Sequence, residues 1–278
     1  MTQRSEDEVR NMVREQYGKV AEIGASAGCA PSCCSVPNAA SSLQLGYSSE
    51  ELASLPEGAD MGLGCGNPQA IAALKAGETA LDLGSGGGFD CFLAAKQVGP
   101  TGRAIGVDMT AQMVDKARKN AQKAGATNVE FRLGEIERLP VADGEVDVIL
   151  SNCVINLSPN KPRVFAEAYR VLRPGGRLAI SDVVMLKPVP PDLQAKAEAL
   201  IGCVSGAATV EELRRALADA GFADVRVTPR PESRAFISQW LPGSGAEDYV
   251  ASATIEATKP LAARSCCGPA CCPPGAST

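Results

Sequence analysis

The chain has 278 residues, 45% hydrophobic and 21% charged, a length and apolar content that build a buried core and exclude disorder as the main state. Its eleven cysteines are an odd count and only about 4% of the chain, below a disulfide scaffold, and its lack of histidine removes Ser-His and Cys-His catalysis and histidine-containing zinc sites. A formal net charge of −5 argues against a nucleic-acid backbone as partner.

The first residues, Met1-Thr2-Gln3-Arg4-Ser5-Glu6-Asp7-Glu8, are acidic and polar, unlike a secretory signal. No apolar run approaches the roughly 20 residues that span a bilayer. The expectation is a soluble cytoplasmic protein, with no nucleic-acid or membrane partner, in a reducing compartment where cysteines stay thiols unless they bind metal or do redox chemistry.

Val9, Met12, Val13, Tyr17 and Val20 recur at helical spacing and predict an amphipathic helix over 6–20. Residues 23–49 carry no charge, are rich in Ser, Ala, Gly and Pro, and hold Cys29, Cys33 and Cys34, which suggests a mobile arm or lid. From Gly77 short apolar runs alternate with helical stretches, the pattern of βαβ units and a parallel sheet. The expected strands are 79–83, 103–107, 129–133, 146–150 and 177–182, with helices over 89–98, 111–124 and 162–171. Leu172-Arg173-Pro174-Gly175-Gly176 reads as the loop that stops the last of these helices.

Lys187-Pro188-Val189-Pro190-Pro191 marks a boundary, followed by a helical stretch to about 201 and the uncharged run Gly202–Ala208. A helix over 210–220 and a strand over 224–227 follow. The tail ends Cys266-Cys267-Gly268-Pro269-Ala270-Cys271-Cys272 and is unlike a segment that packs its own core. The expected units are an N-terminal helix and arm (1–60), a ligand-binding domain (61–183), an insertion and small C-terminal lobe (184–255) and a cysteine-rich tail (256–278).

Leu81-Asp82-Leu83-Gly84-Ser85-Gly86-Gly87-Gly88-Phe89 joins a predicted strand to a predicted helix, and its glycines allow a tight turn and close approach to a ligand. Phe89 stands where a pyrophosphate-binding G-x-G-x-x-G needs glycine, and no Lys-Ser/Thr follows to make a P-loop. Asp82 can face a cationic ligand, and Asp108 at the end of the second strand can accept both ribose hydroxyls, a pairing that suits S-adenosylmethionine (SAM).

Over residues 77–182 the chain resembles the class I SAM-dependent methyltransferases. The resemblance rests on Asp82-Leu83-Gly84-Ser85-Gly86, Gly106-Val107-Asp108-Met109, Gly134-Glu135-Ile136-Glu137 and Leu172-Arg173-Pro174-Gly175-Gly176. It implies an α/β, Rossmann-like sheet with helices on both faces. It also implies cofactor contacts from Asp82, Gly84, Ser85, Gly86 and Asn152, with Asp108 on the ribose, Met109 on the adenine, and Ile136 and Glu137 at its edge.

A cysteine is often a small buried hydrophobe, and Cys91, among Phe92 and Leu93, is expected in the core. Cys153 instead lies just past a strand, at the sheet edge where α/β folds bind ligands. Cys65 lies in the turn Gly62-Leu63-Gly64-Cys65-Gly66-Asn67-Pro68, and Cys203 in Ile201-Gly202-Cys203. Their separations, 88 and 50 residues, match no zinc knuckle, and the sequence does not show that the three converge. Chemically, three soft thiolates around one centre would hold trivalent arsenic, whose lone pair could attack a SAM methyl without a base to remove a proton.

These three contexts are similar to those of the arsenite SAM methyltransferases, and with the arm the resemblance covers nearly all of residues 8–240. It implies methylation of arsenite, or its thiol complexes, to methyl- and dimethylarsenicals in detoxification, with Cys153 and Cys203 as arsenic ligands, Cys65 as third thiol, and Cys33 or Cys34 as an auxiliary thiol. A thiol reductant such as glutathione or thioredoxin would regenerate the cysteines. Rival readings are another class I small-molecule methyltransferase, for which Glu135 or Asp182 would be the base or positioned carboxylate, and a non-catalytic thiol-based metalloid-binding protein. The tail thiols Cys266, Cys267, Cys271 and Cys272 could capture arsenite, bind zinc or be dispensable.

Overall fold

The computed structural model describes residues 5–23, 42–191, 193, 204, 206–240 and 242–261. Helix α1 (Glu6–Ile23) precedes two short helices, α2 (Ser49–Ala53) and α3 (Gln69–Ala72). The βαβ units then run β1 (Thr79–Leu83), α4 (Phe89–Val98), β2 (Arg103–Asp108), α5 (Ala111–Ala124) and β3 (Val129–Leu133). β4 (Val146–Asn152), α6 (Lys161–Val171) and β5 (Leu172–Met185) follow. The chain continues through β6 (Ala208–Thr209), α7 (Val210–Asp219), β7 (Ala223–Arg230), α8 (Arg234–Trp240) and β8 (Val250–Thr258).

The strands form one sheet in the order β3-β2-β1-β4-β5-β8-β7, with β6 paired to β5. β1 to β5 are parallel, and β8 and β7 close the far edge antiparallel. Every residue of β1 is buried, as the near-continuous apolar composition of a central parallel strand requires. Alternate residues feed two cores. Leu81, Leu83, Ile149 and Ile180 meet Phe165 of α6 and Leu217 of α7 on one face, whereas Ala80, Val148 and Leu150 meet Phe92 of α4 and Ala117 of α5 on the other. Helices therefore cover both faces. The strand order reverses between β1 and β4, which opens a crevice at their carboxyl ends.

The helix ends follow from local chemistry. Thr209 and Glu212 form a reciprocal capping box at the start of α7, and Gly125, at φ 61°, ends α5 in the left-handed region. Residues 172–176, expected as a loop, open β5. Leu172 pairs with Val146, the register shifts, and Gly175 and Gly176 exchange backbone hydrogen bonds with Lys259. α8 and β8 were not among the expected elements. β8 reads Val-Ala-Ser-Ala-Thr-Ile-Glu-Ala-Thr, whose small buried residues give no apolar alternation. The boundary expected at 183/184 falls within β5, and the sheet runs on through β8 and β7.

The arm cysteines Cys33 and Cys34, Cys203, the helical stretch expected to about 201 and the tail cysteines Cys266, Cys267, Cys271 and Cys272 lie outside the described residues. Among the described residues, no helix is long and apolar enough to cross a membrane.

Candidate active site

The crevice above β1, β2 and β4 is a cleft that opens to solvent. Asp82, Gly84, Ser85 and Gly86 line it from the β1–α4 turn, Asp108 and Met109 from the end of β2, and Ile136 and Glu137 from beyond β3. Asn152 and Cys153 close it at the end of β4. All nine residues expected to hold the cofactor thus meet in one space.

Gly84 makes the turn possible. Its φ is +70°, and a Cβ there would come within 2.6 Å of Val154 Cγ1. A Gly84→Ala variant is expected to lose about 2–4 kcal/mol, combining left-handed strain with overpacking, and urea unfolding would measure it. Ser85 Oγ is buried and has no hydrogen-bond partner among the described residues, so a polar ligand atom in the cleft would satisfy it. The Asp108 carboxylate is oriented by the backbone N–H groups of Gly86, at 3.0 Å, and Thr110, at 2.8 Å. The Ser158 hydroxyl donates to Glu137 at 2.6 Å.

Helix α1 roofs the cleft, contributing Arg10, Val13 and Tyr17 to its wall. Arg14 fastens it by donating to the Met109 carbonyl at 3.3 Å and to Glu135 at 2.9 Å. Glu135, considered above as a base or positioned carboxylate for a rival chemistry, is here the partner of Arg10 and Arg14.

Toward the thiols the wall becomes a buried polar cluster. Tyr47 Oη donates to Asp90 at 2.9 Å, and Gln69 donates to the same oxygen at 3.1 Å. Asn152 spans the cluster. Its Nδ2 donates to Gly66 O at 2.8 Å and Tyr47 Oη at 3.1 Å, while its Oδ1 accepts from the Cys65 N–H at 3.0 Å. Burial pushes the Asp90 carboxyl up to about 6 and holds Asp82 well above the usual carboxylate range, with the charge of Asp90 adding to the effect on Asp82. Neither is ion-paired among the described residues, so the pair favours a cationic ligand. Cys91, expected in the core, is buried there and its thiol also donates to Asp82 at 3.6 Å.

Cys65 and Cys153 converge despite a separation of 88 positions. One Asp182 oxygen and the two sulfurs all lie within 4.8 Å of one another, and all three residues are buried. Cys153 adopts φ +61°, a region side chains avoid, and its N–H donates to Ser181 O at 2.8 Å. Such strain turns the chain sharply at the strand end and sets the thiol beside the cleft. Cys65 Sγ donates to Ser181 O at 3.6 Å, and the Cys65 carbonyl accepts from Ser252 Oγ at 2.6 Å.

Sequence reading missed Tyr47, Gln69 and Asp90. A signal existed for Asp90, the one acid in Phe-Asp-Cys-Phe-Leu-Ala-Ala, a run otherwise suited to complete burial. Tyr47 and Gln69 had no such signal, since they meet Asp90 only through tertiary packing.

Residues 74–221 match a family described as a methyltransferase domain. The chain is 54% identical over 266 residues to an arsenite methyltransferase of Halobacterium salinarum, covering 92% of this chain and 68% of that protein. It is 44% identical over 172 residues to an arsenite methyltransferase of Aquipseudomonas alcaligenes, covering 59% of this chain and 49% of that one. This chain therefore spans about two thirds and about half the length of these curated relatives. Among solved structures, the arsenic (III) S-adenosylmethionine methyltransferase of Chlamydomonas reinhardtii matches with a TM-score of 0.58 at 32% identity, covering 82% of this chain and 76% of that one. The [4+2]-cyclase SpnF, 21% identical with a TM-score of 0.59 and covering 70% of this chain and 80% of that one, shares the fold. A cleft at the switch point, a thiol that lines it with a second buried close by, and 54% identity over 92% of the chain agree: the chain belongs to the arsenite methyltransferase family of SAM-dependent methyltransferases.

Proposed function

We propose that the protein methylates trivalent arsenic held by cysteine thiolates, with SAM as the methyl donor, in the detoxification of arsenite. The observation that carries this reading is the convergence of Cys65 and Cys153 beside the cleft. Cys203 is proposed as the third ligand, and Cys33 or Cys34 as an auxiliary thiol.

Arsenite condenses with each thiol by losing a hydroxyl as water, so binding needs no general base. The product is pyramidal and keeps a lone pair on arsenic. SAM, when bound, would supply an electrophilic methyl carbon to that lone pair, its carbon–sulfur bond breaking with the electrons returning to sulfur. Arsenic is formally oxidised by this transfer. Two thiolates restore it to the trivalent state and leave as a disulfide, which a reductant of the glutathione or thioredoxin class resets. A reducing cytoplasm supplies such a reductant and keeps the thiols available.

The chain's own contribution is position and field. Asp82 and Asp90 draw the positive end of the donor toward the thiol side, while Asp108, Met109, Ile136 and Glu137 hold its nucleoside. Ser85 supplies its orphaned hydroxyl. Asn152 touches both the polar cluster and the Cys65 backbone, and thereby ties nucleophile to donor.

Incubation with SAM, arsenite and glutathione, followed by arsenic speciation, tests the function. Methylarsenicals and S-adenosylhomocysteine are expected. Unchanged arsenite with no SAM consumed would overturn the reading, and arsenite binding under those conditions would favour a non-catalytic metalloid carrier.

SAM affinity is also expected to weaken as pH falls through about 6, by up to about tenfold per unit, because the cation needs Asp90 ionised. The ligand-free chain has the opposite trend. Its folded state holds the Asp90 proton more tightly than the unfolded chain, so this group's contribution to stability is lost as pH rises from 3.8 to about 6. Calorimetric titration of SAM between pH 5 and 7 would check the first, and a flat profile would exclude it.

A further inference from the structure

Arsenic bound by thiolates does not need Asp182, yet the structure brings that carboxylate to the two sulfurs. Asp182 is buried on β5, and its orientation is fixed by the Val183 N–H at 2.7 Å, Asn156 Nδ2 at 2.9 Å and the Asn156 N–H at 3.2 Å. Oδ1 takes two of these bonds and Oδ2 one, and the Ile155 backbone also bonds the carboxylate. Carboxylates that ligate metals are held by outer hydrogen bonds in this way.

We infer that Cys65, Cys153 and Asp182 form a binding site for a divalent thiophilic cation, zinc or cadmium, which competes with arsenite for the two thiols. The inference rests on the reading that these thiols serve arsenite, and adds the carboxylate and the competing ion. Two thiolates and a carboxylate, with water as the fourth ligand, have the donor types and number of an open tetrahedral zinc site. Zinc–sulfur bonds of about 2.3 Å set two sulfurs about 3.8 Å apart in such a site. All three donor atoms already lie within 4.8 Å of one another, so small side-chain rotations close the site. On binding, each thiol loses its proton to solvent and the Cys65 sulfur gives up its bond to Ser181 O.

The donor backbones are held as well. Cys65 is clamped at its N–H by Asn152 and at its carbonyl by Ser252, and Cys153 is pinned through its N–H to Ser181 O. Such preorganisation lowers the ordering cost for any ion that fits. Arsenite differs in wanting a third thiol, so Cys203 separates the two ligands.

The probe is Cd²⁺ alone, added to the full chain with serine at every cysteine except Cys65, Cys91 and Cys153. One ion per chain is expected, with a ¹¹³Cd resonance between those of all-sulfur and all-oxygen sites. Asp182→Asn should weaken binding by more than about tenfold, and Cys153→Ser should abolish it. Absence of stoichiometric binding, or an all-sulfur resonance, would overturn the inference. In the unmodified chain, Cd²⁺ should raise the apparent KM for arsenite and leave that for SAM unchanged, a readout independent of how the variants fold; inhibition not relieved by arsenite would count against the shared site. The two readings fail separately. Arsenite methylation by the unmodified chain with no cadmium site sinks only this inference, and a cadmium site without methylation sinks only the proposed function.

Discussion

Replacing Cys153 with serine should cut kcat/KM for arsenite methylation by more than about 100-fold while SAM still binds. The substitution keeps the φ +61° backbone and the N–H bond to Ser181, and it changes little beyond the donor atom. A hydroxyl is a hard ligand that stays protonated near neutral pH, whereas trivalent arsenic selects soft thiolate. With a thiol gone, the substrate loses the anchor nearest the β4 edge and its lone pair is no longer aimed. Single-turnover arsenic speciation, paired with SAM binding by calorimetry, would measure both halves. A serine variant within about threefold of the parent would remove Cys153 from the ligand set.

The second large effect is expected at Asn152. Asn152→Ala leaves the Cys65 N–H and the Gly66 carbonyl without their side-chain partner in a buried turn, at a cost of about 1–3 kcal/mol for each group that stays unsatisfied. Freed from the clamp, Cys65 samples positions away from Cys153, and a misplacement of about 1 Å can cost 100-fold in rate. We expect kcat/KM for arsenite to fall by that order, with a smaller rise in KM for SAM. Asn152→Asp separates positioning from bulk. It keeps an acceptor for the Cys65 N–H, loses the donor to Gly66, and places a third carboxylate beside Asp90 and Asp82. The added like charge should push Asp90 up further, so SAM affinity of the variant should begin to fall at a higher pH than in the parent. Identical pH profiles for the variant and its parent would argue for a purely structural role.

The βαβ core was legible because its signals are local and strong. The strands 79–83 and 129–133 and the helices 89–98 and 111–124 were expected with the bounds the structure shows. The first of these strands is a short apolar run and the second an apolar–polar alternation, while one helix is mostly buried and the other carries an apolar stripe. The cofactor wall was legible for a related reason: a glycine turn followed by acids at strand ends is a sequence-local pattern. What was not legible depends on the long antiparallel closure. β8 is built of small residues, and its register, Val183 against Ser252, sets Ser252 under Cys65. Convergence of the two thiols with Asp182 likewise follows from three segments arriving at one sheet edge, which no spacing rule encodes. Tyr47 and Gln69 belong to the same class, because their polar atoms matter only once Asp90 lies between them.

The bond from Ser252 to the Cys65 carbonyl has a consequence for synthesis. A ribosome-bound chain that has emerged only as far as β5 already has the five parallel strands β1 to β5 and the glycine turn. It lacks the strand that buttresses Cys65 and borders Ser181 and Asp182. A nascent chain can therefore fold its nucleoside cleft early and still hold its thiols out of register. On the proposed reading, the metalloid site would be complete only once β8 has paired with β5.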